Sequence, residues 1–327
     1  MDKILVTGAN GFIGRQLCRS LSQQGFWVRA AIRQTAIAPA DDLHYVAVGD
    51  IGPDTDWTEA LRGVHLVVHL AGRAHIMRDS ASSPMAEYER INTLGTMRLA
   101  QMAAAAHVKR FIFLSSVKVN GEETHDQPFV ETDRPAPQDF YAMSKWRAEE
   151  GLLHIHQQGR LPVVIIRPPL VYGPGVRANF LQLIRWVDSG LPLPLGKIKN
   201  KRSLVGLRNL VDFIMICLHK PSAVGEIFLV SDQEDLSTSN LVQRIGGFLG
   251  RSTYLIPIPY PIMSIIAQIT GKKDAFDKLC RSLQVNIEKA SNVLHWKPPF
   301  SINEELEQTI TWYKNEYKRN SSEAVIN

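Results

Sequence analysis

Through the first half of the chain, short unbroken apolar runs alternate with stretches whose apolar residues recur at helical spacing. The runs are Ile4–Thr7, Trp27–Ile32, His44–Val48, His65–Ala71, Arg110–Ser115 and Pro162–Arg167. Runs that lack a polar alternate face predict strands buried on both sides. Between them, Phe12–Gln24, Thr58–Arg62, Met85–His107 and Tyr141–Gln158 predict helices, with Gly, Pro, Asp and Ser at their ends. Alternation of the two kinds predicts an α/β fold, a doubly wound parallel sheet of Rossmann type with ligands beyond the carboxyl ends of its strands.

After Arg167 the texture changes to loops rich in Pro and Gly (RPPLVYGPG, SGLPLPLG) and shorter helices, with one further apolar strand at Glu226–Ser231. This predicts a smaller carboxyl-terminal substrate lobe. The chain is expected to re-enter the sheet around 204–232, so that 1–170 plus about 204–232 form a dinucleotide-binding domain. Residues 171–203 plus 233–327 then form the second lobe, interleaved with the first. The uncharged stretch Tyr254–Gly271 approaches the length of a membrane span, but Pro257, Pro259 and Pro261 crowd its first half. It is read as a helix buried in the protein or covered by a partner, with association with a membrane as the lesser alternative.

A chain of 327 residues with 45% hydrophobic content can bury a large core, which excludes wholesale disorder. The net charge of +5 is spread among 32 acidic residues with no basic block. Nucleic acid is thereby disfavoured as a partner, and an anionic small molecule is favoured. Cys18, Cys217 and Cys280 lie far apart and imply neither a disulfide framework nor a zinc site. The opening MDKILVTGANGFIG has no secretory pattern, so a cytoplasmic location is expected. Histidines 65 and 69, about 13 Å apart along a strand, and 154 and 156, on different sides of a helix, suggest no metal site.

Chemistry enters at the first strand. Ile4–Thr7 runs directly into Gly8-Ala9-Asn10-Gly11-Phe12-Ile13-Gly14 and then a helix. The first glycines allow a tight turn close to a pyrophosphate, Gly14 lets helix and strand pack, and the helix start offers free N–H groups to phosphates. The second strand ends in Arg33, where an NAD site usually places an acid; Arg33 suits a 2′-phosphate, so NADP is modestly favoured over NAD. Tyr141 and Lys145 lie one turn apart at the start of a helix, and Ser116 follows the fifth strand. A phenol with a pKa near 10 is a poor base at neutral pH. A neighbouring ammonium would favour its phenolate, while the serine would hold the reacting oxygen.

Together these residues resemble the extended short-chain dehydrogenase/reductase (NAD-dependent epimerase/dehydratase) family along nearly the whole chain, including its Gly-x-x-Gly-x-x-Gly spacing. The resemblance implies an NAD(P)-dependent enzyme with Ser116, Tyr141 and Lys145 as catalytic residues. It implies cofactor contacts from Gly8, Asn10, Gly11, Phe12, Ile13, Gly14, Arg33, Asp50, Ile51, Leu70, Ala71, Gly72, Asn92, Tyr141, Lys145 and Pro168. The nucleotide-sugar branch is indicated by Arg167-Pro-Pro-Leu-Val-Tyr172-Gly-Pro-Gly175. In that branch Ser116, Lys118, Asn179, Arg202 and Arg281 correspond to substrate contacts, the arginines at the diphosphate. No Asp-Glu pair follows Ser116, which disfavours dehydration, and Asn120 replaces the Tyr that usually precedes the glycine at 121 in epimerases. The chain is most similar to reductases acting on a UDP-linked 4-keto-6-deoxy-N-acetylhexosamine, the UDP-N-acetylquinovosamine-forming type. A UDP-sugar 4-epimerase is the alternative, and a catalytically silent NAD(P)-binding regulator is the remote one. A homodimer is left open.

Overall fold

In the computed structural model, which describes residues 2–34, 43–74, 83–269, 271 and 273–317, the apolar runs become the interior of one parallel sheet. Its strands are β1 (Lys3–Thr7), β2 (Trp27–Ile32), β3 (His44–Ala47), β4 (Leu66–His69), β5 (Arg110–Leu114), β6 (Val163–Arg167) and β9 (Ile227–Leu229), in the order β3-β2-β1-β4-β5-β6-β9. Helices cover both faces because side chains alternate across each strand. Ile4 and Val6 point into the layer that includes Leu17, Leu21 and α7 (Leu207–His219), while Leu5, Val67 and Phe113 face Leu99, Ala103 and Leu152.

The order reverses between β1 and β4, the place where such sheets open a crevice at their carboxyl ends. Three helices border it. They are α1 (Phe12–Gln23), α5 (Phe140–Gln157) and a long helix in two α-helical parts, α3 (Pro84–Tyr88) and α4 (Gly95–Ala105), joined by a π-helical turn, Glu89–Leu94. A single helix was expected over 85–107. The short α2 (Thr58–Leu61) precedes β4.

The re-entry into the sheet expected around 204–232 is made by β9 alone. Residues 204–206 do not join it; β8 (Leu204–Gly206) pairs in parallel with β7 (Leu170–Tyr172) in a separate ribbon, and only β9 returns, beside β6. A second core gathers around α6 (Ala178–Asp188), α8 (Thr238–Leu249) and α12 (Ile302–Trp312), with Tyr172, Phe180, Ile245 and Leu306 buried. The rest of this region comprises α9 (Tyr260–Ile269), α10 (Lys273–Cys280) and α11 (Glu288–Leu294).

Of the fates expected for 254–271, burial within the chain is not the one the structure shows. Only Met263 and Ala267 of α9 are covered, by Phe276 of α10, and Thr270 lies outside the described residues. Among those residues no helix is long and apolar enough to cross a membrane.

Candidate active site

The turn after β1 needs its glycines for reasons visible in the backbone. Gly8 has φ +67°, and a Cβ there would lie 3.0 Å from the Ala71 nitrogen. A Cβ on Gly14 would fall 2.1 Å from the Gly8 carbonyl oxygen, and the Gly11 amide donates to that oxygen at 2.9 Å. Phe12 and Ile13 then begin α1, whose start at Gly11 carries no side-chain cap. Its first N–H groups are thus not spent on a side chain. Asn10 steadies the turn by accepting from Arg15 Nε at 2.9 Å.

The turn after β4 is tied to the first one. Thr7 Oγ1 accepts from the Ala71 amide at 3.2 Å and contacts His69 Nδ1 at 2.7 Å, while His69 Nε2 meets Thr96 at 2.9 Å. Burial, with some help from the Lys145 charge, pushes His69 down to about 3, so this histidine is a neutral strut. Leu70 and Ala71 lead to Gly72, where a Cβ would stand 3.1 Å from Asn92 Oδ1 and 3.4 Å from Lys145 Nζ. Asn92 is carried on the π turn. Its oxygen accepts from the Arg73 amide at 2.7 Å, and its nitrogen donates to Arg73 O and Ser144 Oγ, each at 3.0 Å. A π turn widens the helix locally and is a common device for aiming one side chain.

Ser116 caps the short 3₁₀ turn Val117–Val119 by accepting from the Lys118 amide at 3.2 Å. Asp139 caps α5 by accepting from the Ala142 amide at 2.7 Å. These two caps bring Ser116 and Tyr141 into a shared hydrogen bond, with the Tyr88 ring edge-on to Tyr141 at 6.3 Å. Burial pushes the Tyr141 phenol up to about 12, against the pull of that hydrogen bond. Lys145 is 3% exposed. Its ammonium donates to the Leu114 carbonyl at 2.8 Å and lies 4.5 Å from the Phe113 ring; burial brings it down to about 8.

The Lys145 ammonium is thus directed at the Leu114 carbonyl, while burial raises the phenol. An orphan sits nearby: the buried Ser115 hydroxyl has no hydrogen-bond partner among the described residues. Val117 N donates to Pro168 O at 3.0 Å, which joins this loop to the one after β6.

Pattern reading missed the support under this cluster. Glu149 and Arg167, side chains 2% and 3% exposed, form a buried two-point ion pair, with Arg167 Nε 3.0 Å from Glu149 Oε1. Arg167 also donates to Asn120 Oδ1 at 2.9 Å, and Asn120 donates to Val130 O at 2.9 Å. Glu149 lies one turn beyond Lys145 on the same face of α5 as Tyr141, and an acid on a buried helix face was the available signal. Asn120, read as a sign of altered chemistry, gives the buried guanidinium a further hydrogen-bond acceptor.

The other expected residues fall in three places. Arg33 and Asp50 face each other on the surface, 2.8 Å apart and 71% and 70% exposed, beyond β2 and β3. Ile51 sits under Gly95, where an added Cβ would come 2.6 Å from its side chain. Lys118 is held by Glu122 and Asp139, and Asn179 is exposed in the first turn of α6, next to Ala178 at φ 51°. Arg202 donates to the carbonyls of Lys278 and Arg281 at 2.6 and 3.2 Å, closing the end of α10; burial lowers its pKa. Arg281 pairs with Asp277 at 3.2 Å and with Glu123, in the loop after Ser116, at 3.4 Å. The two arginines are thus neighbours. No group of three metal-ligating side chains occurs among the described residues.

The sequence profile of the NAD dependent epimerase/dehydratase family matches residues 4–231. A UDP-glucose 4-epimerase of Vibrio cholerae is 44% identical over 309 residues, which cover 94% of each chain. An N-acetyl-alpha-D-glucosaminyl-diphospho-ditrans,octacis-undecaprenol 4-epimerase of Escherichia coli O157:H7 is 27% identical over 95% of each. Among solved structures, MoeE5 in complex with UDP-glucose and NAD superposes with a TM-score of 0.77 at 25% identity, over 96% of this chain and 99% of that one.

Proposed function

This chain belongs to the NAD dependent epimerase/dehydratase family, and on that footing we propose that it is a nucleotide-sugar 4-epimerase that inverts the 4-hydroxyl of a UDP-linked hexose. The observation that carries the reading is the hydrogen-bonded pair Ser116–Tyr141 beside a cradle in which a Cβ on Gly72 would crowd Asn92 and Lys145. The 44% identical 4-epimerase supports this reaction over the 4-reduction expected from the motifs, and the acceptor role of Asn120 removes one of the two departures on which the reductase reading stood.

The glycine turn, the uncapped start of α1 and the cleft at Gly72 fit a dinucleotide: Gly8, Gly11 and the amides of Phe12 and Ile13 would hold the pyrophosphate, and Asn92 and Lys145 the ribose side. A dinucleotide held there would supply the acceptor, and then the donor, of the C4 hydride, lost from one face of the sugar and returned to the other. Tyr141 takes the proton of the 4-hydroxyl as the carbonyl forms and gives it back on the return step. Ser116 hydrogen-bonds the same oxygen throughout. Lys145 can turn from Leu114 O toward the loaded site, where its charge favours the phenolate. Arg202 and Arg281 serve the diphosphate.

Purified protein should interconvert UDP-glucose and UDP-galactose, or the N-acetylated pair, with no net change in nicotinamide absorbance. Stoichiometric consumption of added NADPH with a UDP-linked 4-keto sugar, and no interconversion, would establish the reductase. Arg33 is the observation that keeps this second reading in play, since a basic residue after β2 suits an exchanging NADP(H). Its surface pair with Asp50 is weak, so a 2′-phosphate can displace the carboxylate. Arg33→Asp should then weaken NADPH binding at least tenfold more than NADH binding. Equal titration curves for the two cofactors would leave Arg33 a surface residue.

A further inference from the structure

The outer face of α9 is apolar along its whole length. Ile262, Ile265, Ile266 and Ile269 recur at the spacing of one helical stripe and are between 46% and 80% exposed, while Met263 and Ala267 anchor the opposite side on α10. Tyr254 and Ile256, on the segment that leads into the helix, are exposed as well, at 64% and 44%. Scattered surface isoleucines are ordinary, but a contiguous stripe of this kind marks an interaction face.

What should cover it is indicated by charge. The extended segment before α9 is laced to residues 193–196: Leu193 N donates to Tyr254 O at 2.8 Å and Gly196 N to Ile256 O at 3.0 Å. Residues 190–201 carry three exposed lysines, Lys197, Lys199 and Lys201, and no Asp or Glu. Lys199 and Lys201 line a hollow of about 620 Å³ together with Leu255, Pro257 and one acid, Asp235, whose carboxylate accepts from Ser203 at 2.5 Å and from Gln284 at 2.6 Å, so the cations stand beside the apolar segment. Lys273 and Lys278 are exposed on α10. Asp277 of that helix is buried and engaged by Tyr260 at 3.0 Å and Arg281 at 3.2 Å. A second copy of the chain would have to bury these like charges against its own. An anionic lipid surface neutralises them while taking up the isoleucines.

We propose that α9 with its flanking lysines is a membrane-surface anchor, lying in the headgroup region of a bilayer rich in anionic phospholipid with its isoleucine stripe inserted. Ten residues are too few to span a bilayer, so the helix lies along the surface, with Tyr254 and Tyr260 at the depth that suits aromatic rings with a polar end. The anchor holds the arginine pair, which closes the end of α10, close to the lipid surface.

Co-sedimentation with vesicles tests this without any substrate. The protein should pellet with phosphatidylglycerol–phosphatidylethanolamine vesicles at low salt, and far less with phosphatidylcholine vesicles or at high salt. Ile265→Glu should cut the partition at least tenfold, as loss of one buried isoleucine and insertion of a charge require. The pair Lys197→Gln with Lys199→Gln should cut it severalfold, and both variants should keep vesicle-free turnover on a soluble UDP-sugar. Wild-type protein that stays in the supernatant, or Ile265→Glu protein that pellets equally, overturns the anchor. So does a wild-type dimer in sedimentation velocity that Ile265→Glu converts to monomer, since the stripe then belongs to a second copy.

Discussion

Tyr141→Phe should lower turnover by about 10³-fold while leaving cofactor affinity within about twofold of the wild-type value, because it deletes one proton-transferring hydroxyl and nothing that packs. The pH dependence carries the sharper signature. With burial pushing the phenol up to about 12, the reactive phenolate is a minor species at neutral pH, and its fraction rises tenfold per pH unit below the pKa. The wild-type rate of 4-hydroxyl oxidation should therefore climb with pH and level off at the pKa of the loaded site. That break measures how far the bound state and Lys145 draw the phenol down. The Phe variant should be flat over the same range. Stopped-flow measurement of the oxidative half-reaction would show it, and a wild-type rate indifferent to pH would remove Tyr141 from the proton transfer.

Arg167→Met should be the most damaging single change to stability. It leaves the Glu149 carboxylate buried without its partner, a situation that costs about 3–5 kcal/mol, and it strips Asn120 of its donor. Thermal unfolding should begin on the order of 10 °C lower. Adding Glu149→Leu should restore most of the loss, since an apolar pair of similar volume removes the unpaired charge. If the single variant melts with the wild type, or the second change makes matters worse, the pair is not the tie between α5 and β6 that its geometry suggests. Differential scanning calorimetry of the three proteins would decide.

The fold was legible because a strand covered on both faces has to be apolar throughout, and runs such as Val163–Ile166 have no other use in a chain of this kind. The glycine turn was legible for a similar reason: at 8 and 14 the backbone leaves no room for a Cβ, so composition and conformation coincide. Less was visible where one pattern has two physical outcomes. Periodicity cannot distinguish an α turn from the π turn at Glu89–Leu94, because the widening is set by what Asn92 reaches across the cleft. Apolar residues in α9 read as burial, although the helix covers only Met263 and Ala267. Arg33 looked like an isolated cation because its partner, Asp50, arrives from the next strand's end. Lys145 looked like a charge aimed at Tyr141, but its ammonium donates to Leu114 O, a backbone acceptor that carries no sequence signature.

The late return of β9 gives synthesis of this protein an awkward interval. When β6 has left the ribosome, its free edge is five buried-type residues of bare, strongly apolar strand, and the segment that will cover that edge lies some sixty residues downstream. In between, the chain must make the ribbon, α6 and α7, and only then can Ile227–Leu229 dock beside Ile165–Arg167. For that interval the nascent chain offers a template to any other extended segment, including the same strand on a neighbouring ribosome. Slow elongation across this stretch lengthens the exposure, and a chain cut short between the two strands would keep it permanently.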